Sequence, residues 1–260
     1  MLRPRIIPCL LIKNGGLVKT VQFGSPKYVG DPLNAVRIFN EKTVDELMVV
    51  DIDASAHNHE PDYDVIKNLA AECRMPLCYG GGVKTAEQIQ RIISLGVEKV
   101  AVSSAAIHNP HLLTEAAEKV GSQSVVVVMD VKKKKFRSKY EIYTHNGSKA
   151  TGICPVEFTK KITALGCGEV VINSIDRDGV MKGYDMDLIA QVRDVTSLPL
   201  TVLGGAGSLN DIADLIGRFG IIGAAAGSLF VFKGVYRAVL INYPNPSEKD
   251  ALITQAIKAA

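Results

Sequence analysis

Short apolar runs and amphipathic stretches alternate along the whole chain. Eight runs are rich in β-branched residues and almost unbroken in apolarity: about Arg5–Ile12, Glu46–Asp51, Leu77–Tyr79, Lys99–Val102, Val125–Val131, Glu169–Asn173, Leu200–Leu203 and Ile222–Ala225. Continuous apolarity over so few residues marks strands buried on both faces, as parallel strands covered by helices are. Helical periodicity fills the intervals at about Pro32–Glu41, Asp62–Arg74, Thr85–Leu95, Pro110–Val120, Pro155–Leu165, Asp185–Val195, Ser208–Phe219 and Ser247–Lys258. Several of these open on Ser, Thr, Asp or Pro, residues that satisfy or tolerate the free N–H groups of a first turn. Strict alternation of strand and helix predicts an α/β fold: a single (β/α)8 (TIM) barrel over residues 1–260, close to the ~250 residues typical of one.

Two segments break the rhythm. Lys13 to Asp31 is a long first loop rich in Gly and Lys, and Phe136 to Gly152 contains the alternating stretch Tyr140-Glu141-Ile142-Tyr143-Thr144, which suits a small hairpin. Both follow strands, so both belong to the C-terminal face, where barrels of this kind carry their chemistry.

The chain also repeats itself. Gly80-Gly81-Gly82-Val83 followed by Ser103-Ser104-Ala105 recurs as Gly204-Gly205-Ala206-Gly207 followed by Gly227-Ser228-Leu229, at a common offset of 124 residues. Val49-Val50-Asp51-Ile52-Asp53 matches Val171 to Asp176 from a starting offset of 122, so two extra residues enter the loop before the second Gly turn. The period is far above the ~20–50 residues of a solenoid unit. It predicts two half-barrels, about 1–121 and 122–260. In each half a Gly turn lets backbone N–H groups approach an anion, and the helix start behind it adds positive dipole. Two such turns predict a small-molecule substrate with a phosphate at each end.

Composition narrows the class. A net charge of +3 is too small to argue nucleic-acid binding. The basic run Lys132 to Lys135 reads as a solvated loop. No apolar run approaches the ~18 residues of a membrane span, and the N-terminus lacks the apolar core of a signal peptide. The five cysteines form no CxxC pair and read as small buried hydrophobes in a reducing cytoplasm. His57-Asn58-His59 has no third ligand nearby in sequence, so a metal site is not expected. No cofactor is expected.

Carboxylates at C-terminal strand ends converge on a barrel mouth, where one can serve as acid or base. Asp130 ends strand five, Asp51 ends strand two, and Asp176 and Asp178 follow strand six. Lys19 sits mid-loop among glycines, placed either to close over a phosphorylated substrate or to stay at the surface. The repeat pairs Asp130 with Leu11, which cannot transfer a proton, so half of a two-acid site is missing. At the opposite end, Arg5, Glu46, Lys99 and Glu169 open their strands. They are either ordinary polar strand ends or an inward cluster paired within itself, since buried charge is otherwise costly. Arg5 shares strand parity with Leu11, Lys99 with Ser103, and Glu169 with Asn173. Glu46 and Asp51 have opposite parity, so Glu46 needs an irregular strand start to join an inward set.

Arg5-Ile6-Ile7-Pro8-Cys9-Leu10, Gly80-Gly81-Gly82-Val83, Tyr143-Thr144-His145, Ser174-Ile175-Asp176-Arg177-Asp178-Gly179 and Gly204-Gly205-Ala206-Gly207-Ser208 closely resemble HisF, the cyclase subunit of imidazole glycerol phosphate synthase, over roughly residues 1–232. The resemblance implies a phosphate-handling barrel with a HisH-like glutaminase subunit on its N-terminal face. That partner makes ammonia, which crosses the barrel. On the C-terminal face the family joins it to a bis-phosphorylated ribulosyl-formimino-carboxamide ribonucleotide, releasing imidazole glycerol phosphate and an aminoimidazole carboxamide ribotide. Asp130 matches a catalytic carboxylate, and Lys19 matches a functional position and counts with it as catalytic. Asp51 and Asp178 match substrate-binding positions. Gly82, Ser104, Gly179, Gly205, Gly227 and Ser228 match the phosphate clamps. Arg5, Glu46, Lys99 and Glu169 match the charged gate of the ammonia passage. Ser103 and Asn173 stand at substrate positions where the family usually has Asn and Thr. Leu11 stands where the family has its other catalytic Asp, and the tail after Phe232 departs from the usual pattern. An intact gate with a broken acid–base pair resembles the HisF-like paralogues encoded with bacterial surface-polysaccharide genes. These resemble ammonia suppliers for a separate amidotransferase acting on a nucleotide sugar. The other reading is a genuine cyclase of histidine biosynthesis.

Overall fold

A computed structural model describes residues 3–134 and 139–258. Eight parallel strands form the frame: β1 (Arg5–Lys13), β2 (Leu47–Asp51), β3 (Leu77–Gly80), β4 (Lys99–Val102), β5 (Val125–Lys133), β6 (Glu169–Ser174), β7 (Leu200–Leu203) and β8 (Gly223–Ala226). Each pairs in parallel with the next, β8 pairs with β1, and the sheet closes into a barrel. Eight helices cover it: α1 (Pro32–Glu41), α2 (Tyr63–Glu72), α3 (Ala86–Ser94), α4 (Leu112–Val120), α5 (Pro155–Ala164), α6 (Met186–Arg193), α7 (Leu209–Phe219) and α8 (Pro246–Lys258). The expected (β/α)8 architecture is the one found.

Local chemistry sets the helix starts. Asp31 caps α1, with Pro32 behind it, by accepting from the Asn34 amide. Thr85 with Gln88 and Ser208 with Asp211 form reciprocal capping boxes on α3 and α7. The strands divide their side chains by parity. Outward residues such as Ile6, Leu47, Leu77 and Tyr79 pack on helical Phe39, Ile66, Leu69, Ile89 and Ile92, all essentially inaccessible. Inward residues form a separate apolar cluster of Ile7, Cys9, Met48, Cys78, Ala101, Val126, Val171, Leu203 and Ala225, with Leu11, Val50 and Val128 against it. That cluster lines the lumen.

Several local expectations need correction. Residues 13–31 are no open loop: Gly16–Val21 pairs antiparallel with β1, Leu11 opposite Val18, and Gly24–Gly30 pairs with it in turn. Residues 140–144 form the expected small hairpin, with Lys149–Ala150, and in addition pair antiparallel with β5, setting Tyr143 opposite Asp130. Lys132 and Lys133 therefore belong to β5 rather than to a solvated loop, and Lys134 pairs with Glu141 at 3.0 Å; Lys135 lies outside the described residues, as do residues 136–138 of the second insertion. Cys9, Cys78 and Cys167 are buried, whereas Cys73 is half-buried and Cys154 exposed. Glu46 shares parity with inward Met48 and Val50, so it needs no irregular strand start. The residue out of phase is Asp51, which leaves the strand to cap the short helix Ile52–Ala56. Among the described residues, no helix is long and apolar enough to cross a membrane.

Candidate active site

The inward positions stack in three levels. At the N-terminal end, Arg5 Nη2 lies 2.7 Å from Glu169 Oε1, and its other Nη bonds Glu46. Lys99 Nζ lies 2.9 Å from Glu46 Oε2 and 2.8 Å from Glu169 Oε2. The four charges thus alternate in a closed ring, both carboxylates about 5% exposed as residues. Burial works against the Arg5 and Lys99 charges, but Glu169 and Glu46 outweigh it and raise both pKa values. Burial likewise opposes the Glu169 charge, and Arg5 and Lys99 reverse the balance, lowering its pKa. Thr201 completes the level: its hydroxyl donates to Glu169 at 2.6 Å and accepts from Arg5 at 3.2 Å. Sequence reasoning missed Thr201, although its position at the start of β7, in phase with inward Leu203, was a usable signal.

Above the ring lies the apolar level of the lumen, and above that a cavity open to solvent at the C-terminal end of the barrel. Asp130, Lys19, Asp51, Gly82, Ser103, Ser104, Asn173, Asp178, Gly179, Gly205, Gly227 and Ser228 all line this one cavity, as does Leu11. Asp176 does not; its carboxylate accepts from the Lys133 amide at 2.8 Å and ties the β6 turn to β5. His57 and His59, outside the cavity, stack on an exposed loop with ring centroids 5.7 Å apart.

Asp130 reaches the cavity from β5. Burial pushes its carboxyl up to about 7; Asn173 Nδ2, donating to Oδ1 at 2.9 Å, opposes the shift, and Asp178 adds to it. Asp178 is raised by burial too, although Thr20 Oγ1 donates to it at 2.7 Å. Asp51 is raised by burial against its two capping bonds from the Asp53 and Ala54 amides. Lys19 corrects the expectation of a loop lysine. It sits on the strand Gly16–Val21, only 5% exposed, and its ammonium donates to the Cys9 carbonyl at the top of the lumen. Burial lowers its pKa, against Cys9 and Asp178.

Glycines make the rim. At Gly179 (φ +66°) a Cβ would lie 2.1 Å from the Thr20 carbonyl oxygen, and at Gly205 (φ +120°) 2.2 Å from that of Gly183. At Gly227 a Cβ would stand 2.7 Å from Lys19 Nζ, so its absence makes room for the ammonium. Near the first glycine turn, the Gly82 amide donates to Ser55 Oγ at 3.4 Å. Short helices start at Ser104 and Ser228 beside these turns. Such a rim admits backbone close to a ligand where side chains could not fit.

The family described as histidine biosynthesis protein matches residues 5–237. This chain belongs to that family. It is HisF-like: it shares 60% identity over 249 residues with a Vibrio vulnificus protein provisionally named imidazole glycerol phosphate synthase subunit hisF3, covering 96% of each chain. A Leptospira interrogans relative, provisionally named subunit HisF, is 57% identical over 97% of this chain and 99% of its own. A Pseudomonas aeruginosa relative, provisionally named subunit hisF2, is 50% identical over 96% of this chain and 99% of its own. In this HisF-like barrel, Leu11 lines the cavity that Asp130 enters.

Proposed function

We propose that this HisF-like chain is the synthase-side subunit of a glutamine amidotransferase. A HisH-like glutaminase docks on the N-terminal face, and ammonia passes the charged ring and the lumen to the cavity. The observation that carries this reading is the sequence of levels along one axis: a self-paired ring of charges, an apolar lumen, then a polar cavity. An apolar lumen disfavours ammonium, which would lose its hydration, and lets neutral ammonia through. At the cavity, the two glycine rims beside Ser104 and Ser228 suit a ligand with a phosphate at each end. Asp130 is the acid–base group, and Lys19 supplies positive charge beside Gly227. Leu11 offers no proton. The finer proposal is therefore a diverged role: ammonia supplied for amidation of a nucleotide sugar in surface-polysaccharide (O-antigen) synthesis, through a separate sugar amidotransferase.

The second reading, histidine-pathway cyclase, is favoured by one feature: Asp130 retains a carboxyl poised near neutral pH. The purified chain, given ammonium and the bis-phosphorylated histidine-pathway substrate, decides between them. A missing acid–base partner typically costs about 10²–10⁴ in rate. Turnover at least a hundredfold below the ~10 per second of a median enzyme, with partial recovery in Leu11→Asp, is the expected result. Turnover within tenfold of that median restores the cyclase reading.

A further inference from the structure

Two buried polar atoms at the top of the lumen have no hydrogen-bond partner among the described residues: Ser103 Oγ and Asn173 Oδ1. Asn173 is 7% exposed. Leaving such an atom unpaired costs about 1–3 kcal/mol, so a fold that keeps two of them beside one cavity is arranged for something that pairs with them. Their placement says where it sits. Asn173 is the direct neighbour of Asp130 across the β5–β6 pairing, and its amide donor is occupied by the Asp130 carboxyl at 2.9 Å. The atom left over is therefore an acceptor. Ser103 follows Val102, which pairs with Val127, so it stands level with Val128, one inward level below Asp130. Beneath these residues the lumen wall is apolar, with Ala101, Val126 and Val171. At Gly204 a Cβ would stand 3.2 Å from Asn173 Oδ1, so the glycine keeps the approach to that atom open.

We infer that Ser103 Oγ, Asn173 Oδ1 and the Asp130 carboxyl form a holding site for ammonia, as NH3 or ammonium, where the lumen opens into the cavity. The inference rests on the conduit reading above. The free atoms are all oxygen acceptors or can act as such, so the ligand must be rich in donors. Phosphate has the wrong polarity, and water offers only two donors where ammonia offers three and ammonium four. Leu11, also on the cavity wall, adds no competing donor. The site depends on the Asn at position 173, whose side chain keeps an acceptor free after its amide is given to Asp130, and holds the nitrogen beside that carboxyl.

Thallium(I), an ammonium-sized cation that scatters anomalously, tests the site. Crystals of the chain are soaked in thallium(I) acetate at pH 8, where an Asp130 carboxyl with its pKa near 7 is mostly ionised. One anomalous peak within about 3 Å of Asn173 Oδ1 and an Asp130 oxygen is expected. In solution, ammonium chloride raises the thermal midpoint more than choline chloride does at equal ionic strength, and Asn173→Thr weakens the apparent ammonium affinity about tenfold. Ser103→Ala is the second variant, in case Asn173→Thr does not fold. Water density alone at the site in the folded protein, or a peak and an ammonium effect untouched by both variants, overturns the proposal. Glutamine-dependent nitrogen transfer by the complex, measured alongside, separates the two readings. A working conduit with no thallium peak removes only the holding site. A thallium peak with no transfer removes the conduit.

Discussion

The two ends of the barrel treat buried polarity in opposite ways. At the N-terminal end, four charged side chains and Thr201 use their hydrogen-bonding capacity on one another, each acid between two bases. At the C-terminal end, Asp130, Asp178 and Asp51 all have pKa values raised by burial, and two buried polar atoms have no partner among the described residues. The ring is complete without a ligand; the cavity is not. A structure closed at one end and waiting at the other separates what the fold needs from what the chemistry needs. The raised carboxyls and unpaired acceptors lower stability, which is the usual mark of a binding site. The tail sharpens the contrast. Tyr243 donates to the Ile6 carbonyl at 2.9 Å, and Lys249 pairs with Asp45 at 2.6 Å, so α8 and its lead-in brace the chain beside the ring.

The largest effect should come from opening the ring. Removing one member of a buried ion-pair network leaves uncompensated charge and costs about 3–5 kcal/mol. Glu169→Ala strands Arg5 and Lys99 with Glu46 alone and takes away the acceptor of Thr201. A urea-unfolding midpoint lowered by this amount is expected, and an unchanged midpoint breaks the picture of a self-satisfied ring. Lys99→Ala should cost less, because its side chain is 19% exposed against 5% for Glu169. It therefore serves as the functional probe. Glutamine-dependent nitrogen transfer by the complex should fall further than transfer from free ammonium, which can enter from the cavity side. Equal losses would mean a folding defect, and no loss with either source would remove the ring from the pathway.

A smaller effect is expected at the rim. Gly179→Ala combines a positive φ with a 2.1 Å approach to the Thr20 carbonyl, so backbone must move. Forced positive-φ positions cost about 1–3 kcal/mol. Here the movement also disturbs Thr20, which holds Asp178, and the Gly179 carbonyl that accepts from Arg237 at 2.9 Å. Gly15→Ala is the control: its φ is +74°, but a Cβ there meets nothing within 4 Å. Gly179→Ala should be clearly less stable than Gly15→Ala by calorimetry and should lose phosphate binding. Equal midpoints with phosphate binding retained would show that the rim does not need its close approach.

How much of this was legible in the chain follows from the same physics. Strand and helix order was readable because buried parallel strands must be continuously apolar, whereas surface helices cannot be. The cavity residues were readable because glycine turns and carboxylates fall at strand ends. Lys19 was misplaced because the glycines around it mimic a loop; pairing with β1, a contact visible only in three dimensions, makes the segment a strand and buries the ammonium. Asp51 misled the parity argument because a helix-capping residue leaves the strand's alternation. Ser103 and Asn173 could be named from sequence, but an unmade hydrogen bond leaves no trace there.

The smallest expected effect is a difference in pH response between the two ends. Glu169 has a folded-state pKa below its ordinary value, so it adds stability that is present above the unfolded pKa and lost as pH falls through the folded one. Asp130 runs the other way. Its pKa rises from 3.8 to about 7, so its contribution is full below the unfolded value and is lost as pH climbs through the folded one, a window of roughly pH 4 to 7. A carboxyl that stays neutral to near pH 7 thus costs stability at pH 8 that it does not cost at pH 4. Water in the open cavity screens the penalty, so the net difference should be about 1 kcal/mol. Asp130→Asn keeps the side-chain shape and cannot ionise. It should unfold at a higher denaturant midpoint than the wild type at pH 8, and the advantage should shrink towards pH 4. The shrinkage must be judged against the wild type at each pH, since the ring loses its own stabilisation in acid in both proteins. An advantage that is constant with pH would place the Asp130 carboxyl in water and remove the main electrostatic difference between the two ends.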